Sequence, residues 1–253
     1  MTGHHGSKYK LSILIPAFNE KATLCELLDK VQALPVEKEI IIVDDNSTDG
    51  SRLMIQQKIE GKFANVRVIY NSRNFGKGGC IRQALKITTG ELVVIQDADL
   101  EYDPADCLKI YSAFEQGADV VYGTRFKDFK KMEFVLQALS NKFLGSRHKI
   151  KHFHHFFGVQ VLTFLANLLY GSRLTDEATC YKAFRKVVLD QITLKCRGFE
   201  FCPEVTAKVL KRGYRIVEVP VTYYPRSYAE GKKINWRHGV EAIWALIRFR
   251  FSD

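Results

Sequence analysis

The chain has no uninterrupted apolar run of the roughly 18 residues that a membrane-spanning helix needs. The best stretch, Phe156–Tyr170, is shorter and carries Gln160, Thr163 and Asn167. No apolar signal-peptide core follows Met1, and residues 1–10, with their HHGS, read as a flexible tail outside the fold. The six cysteines contain no C-x-x-C pair, and His152, His154 and His155 lack the partner spacing of a zinc site. Reduced cytosolic thiols are therefore expected rather than a disulfide framework. Proline is scarce, and no Pro-, Gly- or Ser-rich linker, internal repeat or low-complexity segment divides the chain. Residues 11–253 are expected to form one domain with a real core. Neither G-x-G-x-x-G nor a Walker A loop is present, which sets aside a dinucleotide-binding dehydrogenase. No recognised nucleic-acid motif is found, and no nucleic-acid partner is expected.

What the chain does have is an uneven charge. Its 38 Lys and Arg against 28 Asp and Glu give a net of +10. Residues 1–124 hold 14 basic and 17 acidic residues, whereas residues 125–253 hold 24 and 11. An acidic first half suits a cation site, and a basic second half suits a phosphate-bearing or anionic-surface partner. Scattered solubilising lysines would give the same total.

Short β-branched runs alternate with helical spacing through the first half: Leu11–Ile15, Glu39–Val43, Val66–Tyr70, Glu91–Ile95 and Asp119–Tyr122 read as strands. Continuous apolar strands between helices imply a parallel α/β sheet covered on both faces, with ligands beyond the carboxyl ends of the strands. After residue 125 the pattern loosens. A basic stretch precedes the amphipathic Phe156–Tyr170, and then come TDEATCYKAFR, a helix near Pro203–Arg212, a strand Ile216–Val219 and a basic, aromatic tail.

Three strand ends carry carboxylates or amides. Asp97-Ala98-Asp99 places two acids at i and i+2 after a buried strand, where they point to one side and either share a hard cation such as Mg²⁺ or Mn²⁺ or form an Asp-rich turn. Asp103, before Pro104, already supplies the helix cap that the turn reading would require. Asp45 ends another strand as a ligand candidate or a turn residue. The turn Asn74-Phe75-Gly76-Lys77-Gly78-Gly79 opens a helix and either offers N–H groups to phosphate or simply needs positive φ. Arg125 follows the fifth strand as a possible bidentate phosphate ligand. Asp176 and Glu177, at an expected helix start, are read as a cap or a base.

These pieces together resemble the family 2 glycosyltransferases of the GT-A fold, in the subgroup of dolichyl- or polyprenyl-phosphate mannose and glucose synthases. The quoted segments are IPAFNE (15–20), VDDNSTDGS (43–51), NFGKGG (74–79), QDADLEYDP (96–104), YGTRF (122–126), LTDEATCYKAFR (174–185) and YAEGKKI (228–234). The resemblance implies a Rossmann-like, mostly parallel sheet with helices on both faces and a C-terminal basic, amphipathic extension. Residues 11–124 would form the nucleotide-sugar half and 125–253 the acceptor half. It implies that Pro16, Asn19 and Glu20 line the nucleotide pocket and Asp45 contacts the base. Asp97 and Asp99 would be the DxD pair with Mg²⁺ or Mn²⁺, flanking Ala98. Asp99 would be the more direct ligand, with Asp97 nearer the ribose and sugar. Arg125 and Arg226, with Lys232 or Lys233, would clamp the acceptor phosphate, and Lys77 and Ala98 would be among the substrate-binding residues. Asp176 would place a carboxylate near the transferred sugar.

The reaction so implied is an inverting single displacement that moves a hexose from GDP-mannose or a UDP-sugar to a polyprenyl (dolichyl) phosphate. A lipid phosphate is mostly dianionic at neutral pH, so the nucleophile needs positioning more than a base. Without a spanning segment, the expected location is cytoplasmic, peripheral to the inner face of a membrane. Phe156–Tyr170 is then either an interfacial helix or ordinary core. A soluble acceptor, or a catalytically inactive nucleotide-sugar-binding module, is the alternative.

Overall fold

The computed structural model describes residues 7–126, 150–226 and 236–252, with the helix path alone for residues 150–156. The elements in chain order are β1 (Leu11–Ala17), α1 (Leu24–Gln32), β2 (Lys38–Asp44), α2 (Ser51–Lys58), β3 (Val66–Tyr70), α3 (Gly76–Leu85), β4 (Leu92–Ile95), α4 (Cys107–Glu115) and β5 (Val120–Thr124). They continue as α5 (Ile150–Tyr170), β6 (Lys182–Arg185), α6 (Lys186–Asp190), α7 (Phe201–Lys211), β7 (Ile216–Pro220) and α8 (Trp236–Phe251). A 3₁₀ turn, Pro104–Asp106, leads into α4, and Asp103 caps it by accepting from the Ala105 N–H at 3.0 Å.

The described strands form a seven-stranded sheet in the order β3-β2-β1-β4-β6-β5-β7. Alternate side chains explain why the strands read as unbroken apolar runs. Ile40 and Ile42 of β2 face one helical layer with Leu24, Ile55 and Phe114, while Ile41 and Val43 face the other with Ile81, Val205 and Phe201. The GT-A-like α/β architecture follows the expectation.

One strand departs from it. β6 pairs antiparallel with both β4 and β5, whereas the other described pairings are parallel. Its four residues, KAFR, are too few and too charged to register as a strand. Because β6 runs backwards, the loop that precedes it, residues 171–181, lies at the carboxyl ends of β1, β2, β4 and β5. The expectation that Asp176 starts a helix is therefore corrected: residues 171–181 are loop. The C-terminal basic, amphipathic extension includes a helix, Trp236–Phe251, packed on α5 and α7 through Ala242, Ala245, Leu246 and Phe249.

Far from that ledge, Glu39 is buried and accepts from Ser12 Oγ at 2.5 Å, from the Thr89 N–H at 2.6 Å and from the Gly90 N–H at 3.1 Å. Burial alone would raise its pKa, but these donors bring it down to about 2.

Candidate active site

A cleft of about 890 Å³ opens at the strand ends. The ledge supplies its polar lining (Glu20, Asp45, Lys77, Asp97, Asp99, Glu101, Arg125 and Arg226) with Pro16 and Ala98 beside them, while α5 and α8 supply apolar lining through Phe157, Val161, Leu162, Trp236, Val240 and Ile243.

The centre is a cluster of acids around one guanidinium. Arg226 Nη1 lies 3.1 Å from Glu20, its Nη2 3.0 Å from Asp99, and its Nε 3.6 Å from Glu101. Glu101 also accepts from the Arg226 N–H at 3.0 Å and from Tyr223 Oη at 2.9 Å. Tyr102 and Tyr223 form an isolated bridge with rings 5.1 Å apart, so the segment after Asp99 is fastened to the segment that carries Arg226. Leu100 adopts φ +59°, a left-handed conformation that costs energy for a leucine and turns the chain sharply after Asp99. Burial, then the charges of Asp97 and Glu101, push the Asp99 carboxyl up to about 7 against the opposing pull of Arg226. Asp97 pairs with Lys77 from α3.

An acid held that far above its ordinary range calls for a proton or a cation. The all-oxygen donors Asp97 and Asp99 suit a hard divalent ion. No group of three or more His, Cys, Asp or Glu poised for a metal exists among the described residues.

Asp45 is buried, and its carboxylate accepts from the Phe75 N–H at 2.8 Å, the Gly76 N–H at 2.8 Å and Asn71 Nδ2 at 2.7 Å. The reading of the glycine turn as a phosphate cradle is corrected on this point. Its first N–H groups are spent on Asp45, and those of Gly78 and Gly79 on the carbonyls of Gly198 and Arg197. The glycines answer to crowding instead. Gly76 has φ +76°, and a Cβ there would stand 2.5 Å from the Arg197 carbonyl oxygen; a Cβ at Gly78 would stand 2.6 Å from that of Cys196.

Two other expected residues lie elsewhere than anticipated. Asn19, at φ +54°, does not line the cleft; its side chain accepts from the Thr48 N–H at 2.8 Å and splices the β1 and β2 loops. Asp176 is fully buried outside the cleft lining and grips Arg125 with two 2.7 Å bonds, to Nε and Nη2, plus its N–H at 3.1 Å. The Arg125 guanidinium also stacks 5.0 Å from the Tyr223 ring centroid. The loop that carries Asp176 is itself tied down. Glu218 accepts from the N–H groups of Thr175 and Asp176, and Asn167 of α5 bonds both ways with Leu174. Thr163 Oγ1 accepts from the Glu177 N–H at 3.0 Å. Thr163 and Asn167, two of the polar residues that interrupt the α5 sequence, thus serve the loop. Lys232 and Lys233 lie outside the described residues.

Glu101, Tyr102 and Tyr223 receive no site role from the sequence. Glu101 could have been, because it repeats the i, i+2 acid spacing of Asp97 and Asp99.

Comparison with known proteins gives the family and the fold. The chain is 25% identical over 227 residues to an undecaprenyl-phosphate 4-deoxy-4-formamido-L-arabinose transferase of Klebsiella pneumoniae, covering 88% of this chain and 62% of that protein. The protein of the same name from Proteus mirabilis is 26% identical over the same share of each. The chain thus spans somewhat under two thirds of these relatives. Among solved structures, glucosyl-3-phosphoglycerate synthase from Mycobacterium tuberculosis, in complex with Mn²⁺, UDP and phosphoglyceric acid, superposes with a TM-score of 0.67 at 17% identity, covering 96% of this chain and 79% of that one. Mannosyl-3-phosphoglycerate synthase from Rubrobacter xylanophilus gives 0.62 at 17% identity, over 95% and 72%. These two likenesses are of fold. A family model described as Glycosyl transferase family 2 matches residues 12–193, from β1 past β6 and through both aspartates of the ledge. With that match over most of its length, the chain belongs to glycosyl transferase family 2.

Proposed function

We propose that the chain transfers a sugar from a nucleoside-diphosphate donor to a polyprenyl phosphate. The observation that carries this reading is the two-sided cleft, in which an acid ledge with Arg226 at its centre continues into a corridor lined by α5 and α8. A donor diphosphate fits the polar part, and an acceptor with an anionic head and an apolar tail fits both. The names of the Klebsiella and Proteus relatives point to the same acceptor class.

In this reading Asp97 and Asp99 hold Mg²⁺ or Mn²⁺, which when bound offsets the charge of the departing nucleoside diphosphate. Pro16, Glu20, Asp45 and Ala98 shape the donor pocket, and Lys77 sets Asp97. Arg226 meets the acceptor phosphate. A phosphate dianion needs no general base, which fits an Asp176 whose carboxylate is already spent on Arg125. Asp176 is thus a positioning residue for Arg125, which faces the cleft. Lys232 and Lys233 are proposed to assist at the acceptor phosphate.

The test is nucleoside diphosphate release from a panel of UDP- and GDP-sugars, with Mg²⁺ or Mn²⁺ and with polyprenyl phosphate, phosphoglycerate or neither. Release that needs both lipid phosphate and metal supports the reading and identifies the donor. Release driven by phosphoglycerate alone would replace it with a soluble acceptor. Arg226→Ala should be severe and Asp176→Asn damaging but incomplete; normal transfer by both would sink the assignments.

A further inference from the structure

All six cysteines are free thiols, and four of them have partners of another kind. Cys25 Sγ lies 3.1 Å from Met54 Sδ, Cys80 Sγ accepts from Asn71 Nδ2 at 3.6 Å, and Cys107 bonds with Tyr181 Oη at 2.8 Å. Cys196 sits beside Glu204. Cys180 and Cys202 instead meet each other side chain to side chain, with the Cys180 S–H donating to the Cys202 sulfur. Both line the cleft. Cys180, half-buried, comes from the loop just ahead of β6 and packs against the apolar cluster that holds Cys202. Cys202, 6% exposed, stands in the first turn of α7.

The surroundings of this pair differ from those of the other buried thiols. Burial pushes Cys107 and Cys196 up to about 12. Cys202 is held below its ordinary value by the Cys180 S–H and, against its own burial, by the ammonium groups of Lys77 and Lys182. A place at the N-terminus of a helix works in the same direction. Lys77 of the ledge thus looks two ways, to Asp97 and to the thiols. A nucleophilic sulfur, a second thiol in contact with it and an open cleft beside both are the parts of a reversible dithiol.

We infer that Cys180 and Cys202 are a redox-sensitive pair in the cleft wall, closed to a disulfide by a hydroperoxide and reopened by a thiol reductant. The Cys202 thiolate attacks a peroxide oxygen and the O–O bond breaks. Cys202 becomes a sulfenic acid, and the departing hydroxide takes up the proton that the thiol released, giving water. The Cys180 sulfur then attacks the sulfenic sulfur, the S–O bond breaks, and the hydroxyl leaves with the Cys180 proton as a second water. Two thiols and one hydrogen peroxide give one disulfide and two waters, with the sulfurs oxidised and the peroxide reduced. The bond draws the loop against α7. The Cys180 N–H donates to Tyr102 Oη at 3.4 Å, and Tyr102 bridges Tyr223 ahead of Arg226, so the pull reaches the acid cluster. Lys77 also loses the thiolate from its surroundings, so donor binding weakens. The inference rests on the thiol pair and does not require the acceptor reading.

The test treats the folded, full chain with a small excess of hydrogen peroxide, blocks the remaining thiols with iodoacetamide and reads the products by mass spectrometry. Trypsin releases the two cysteines on separate peptides, residues 174–182 and 198–208, each with no other cysteine. The expected product is those two peptides joined, lighter by two hydrogens than their sum, and separated again by dithiothreitol. Cys180→Ser and Cys202→Ser should each abolish the joined product. Cys80→Ser, which changes another thiol of the cleft lining, should leave it intact. Calorimetry with UDP or GDP and Mn²⁺ should show binding roughly fivefold or more weaker after oxidation, restored by dithiothreitol and insensitive to peroxide in Cys202→Ser. Sulfinic or sulfonic acids without the joined peptides would overturn the inference. So would a bond to any other cysteine or between two chains, or a Cys180–Cys202 bond that leaves nucleotide affinity unchanged. A chain that shows the full redox response but transfers no sugar to lipid would leave the inference standing and remove the acceptor reading.

Discussion

Replacing Asp176 by Asn tests whether that carboxylate acts on substrate or on the fold. Its side chain is 0% exposed, and Arg125, which it holds through two 2.7 Å bonds, is 9% exposed. The variant turns a paired buried guanidinium into an unpaired one, because the amide can accept one bond but presents a donor where the second acceptor stood. Breaking a buried pair from one side costs about 3–5 kcal/mol, a large share of the roughly 5–15 kcal/mol that holds a domain together. For a chain of this size that corresponds to a fall in Tm of about 10 °C. Thermal melts by circular dichroism, with urea titration as a check, read the effect. Arg125→Met with Asp176→Leu should recover most of the loss, because an apolar pair of similar volume avoids the stranded charge. Transfer should fall in Asp176→Asn, while donor KM stays close to that of the parent. An Asp176→Asn protein that melts within a degree or two of the parent and transfers nothing would refute the reasoning, since the carboxylate would then be meeting substrate.

Gly76→Ala should destabilise by about 1–3 kcal/mol and weaken donor binding, because the Cβ would strike the Arg197 carbonyl and dislodge the N–H groups that Asp45 holds; an unchanged urea midpoint would show that the turn yields freely. In metal-free protein, native Asp99 near 7 keeps a proton that the unfolded chain, near 3.8, gives up. Stability should therefore fall as pH rises from about 4 to about 7 and level off above, by up to about 3 kcal/mol between pH 5 and 8. Glu39 stays ionised across that window, Asp99→Asn should flatten the trend, and a rise with pH would contradict it. Lys77→Met strips the partner from Asp97 and should weaken donor affinity at least tenfold, read by calorimetry with a nucleoside diphosphate and Mn²⁺; equal affinity would remove Lys77 from the donor side.

Most of the sheet was legible because β1, β2 and β4 are covered on both faces, and EIIIV and LVVI can hardly be anything but interior strands. β6 was not. Lys182, in its first position, reads as a surface charge, yet it is fully buried 3.7 Å from the Tyr122 ring centroid and donates to the Glu177 carbonyl at 2.8 Å. Helix α8 was hidden by its arginines, although Ala242, Ala245, Leu246 and Phe249 carry a helical period. Of the two readings of Phe156–Tyr170, ordinary core describes one face of α5, where Val159, Leu162 and Ala166 are buried. The acids of the ledge stood out because they follow strands. The pairing of Asp176 with Arg125 did not, because it closes across 51 residues and depends on the reversed strand.

That reversal has a consequence for how such a protein can diversify. A strand inserted against the grain brings a further loop to the working edge without adding a crossover helix. Ala178 and Cys180 of that loop reach the cleft and can change, while Leu174, Thr175, Asp176 and Glu177 stay bound to Asn167, Glu218, Arg125 and Thr163. Residues 171–181 are therefore where new selectivity could be written into this scaffold at least expense to its folding, provided the knot between Asp176 and Arg125 is left tied.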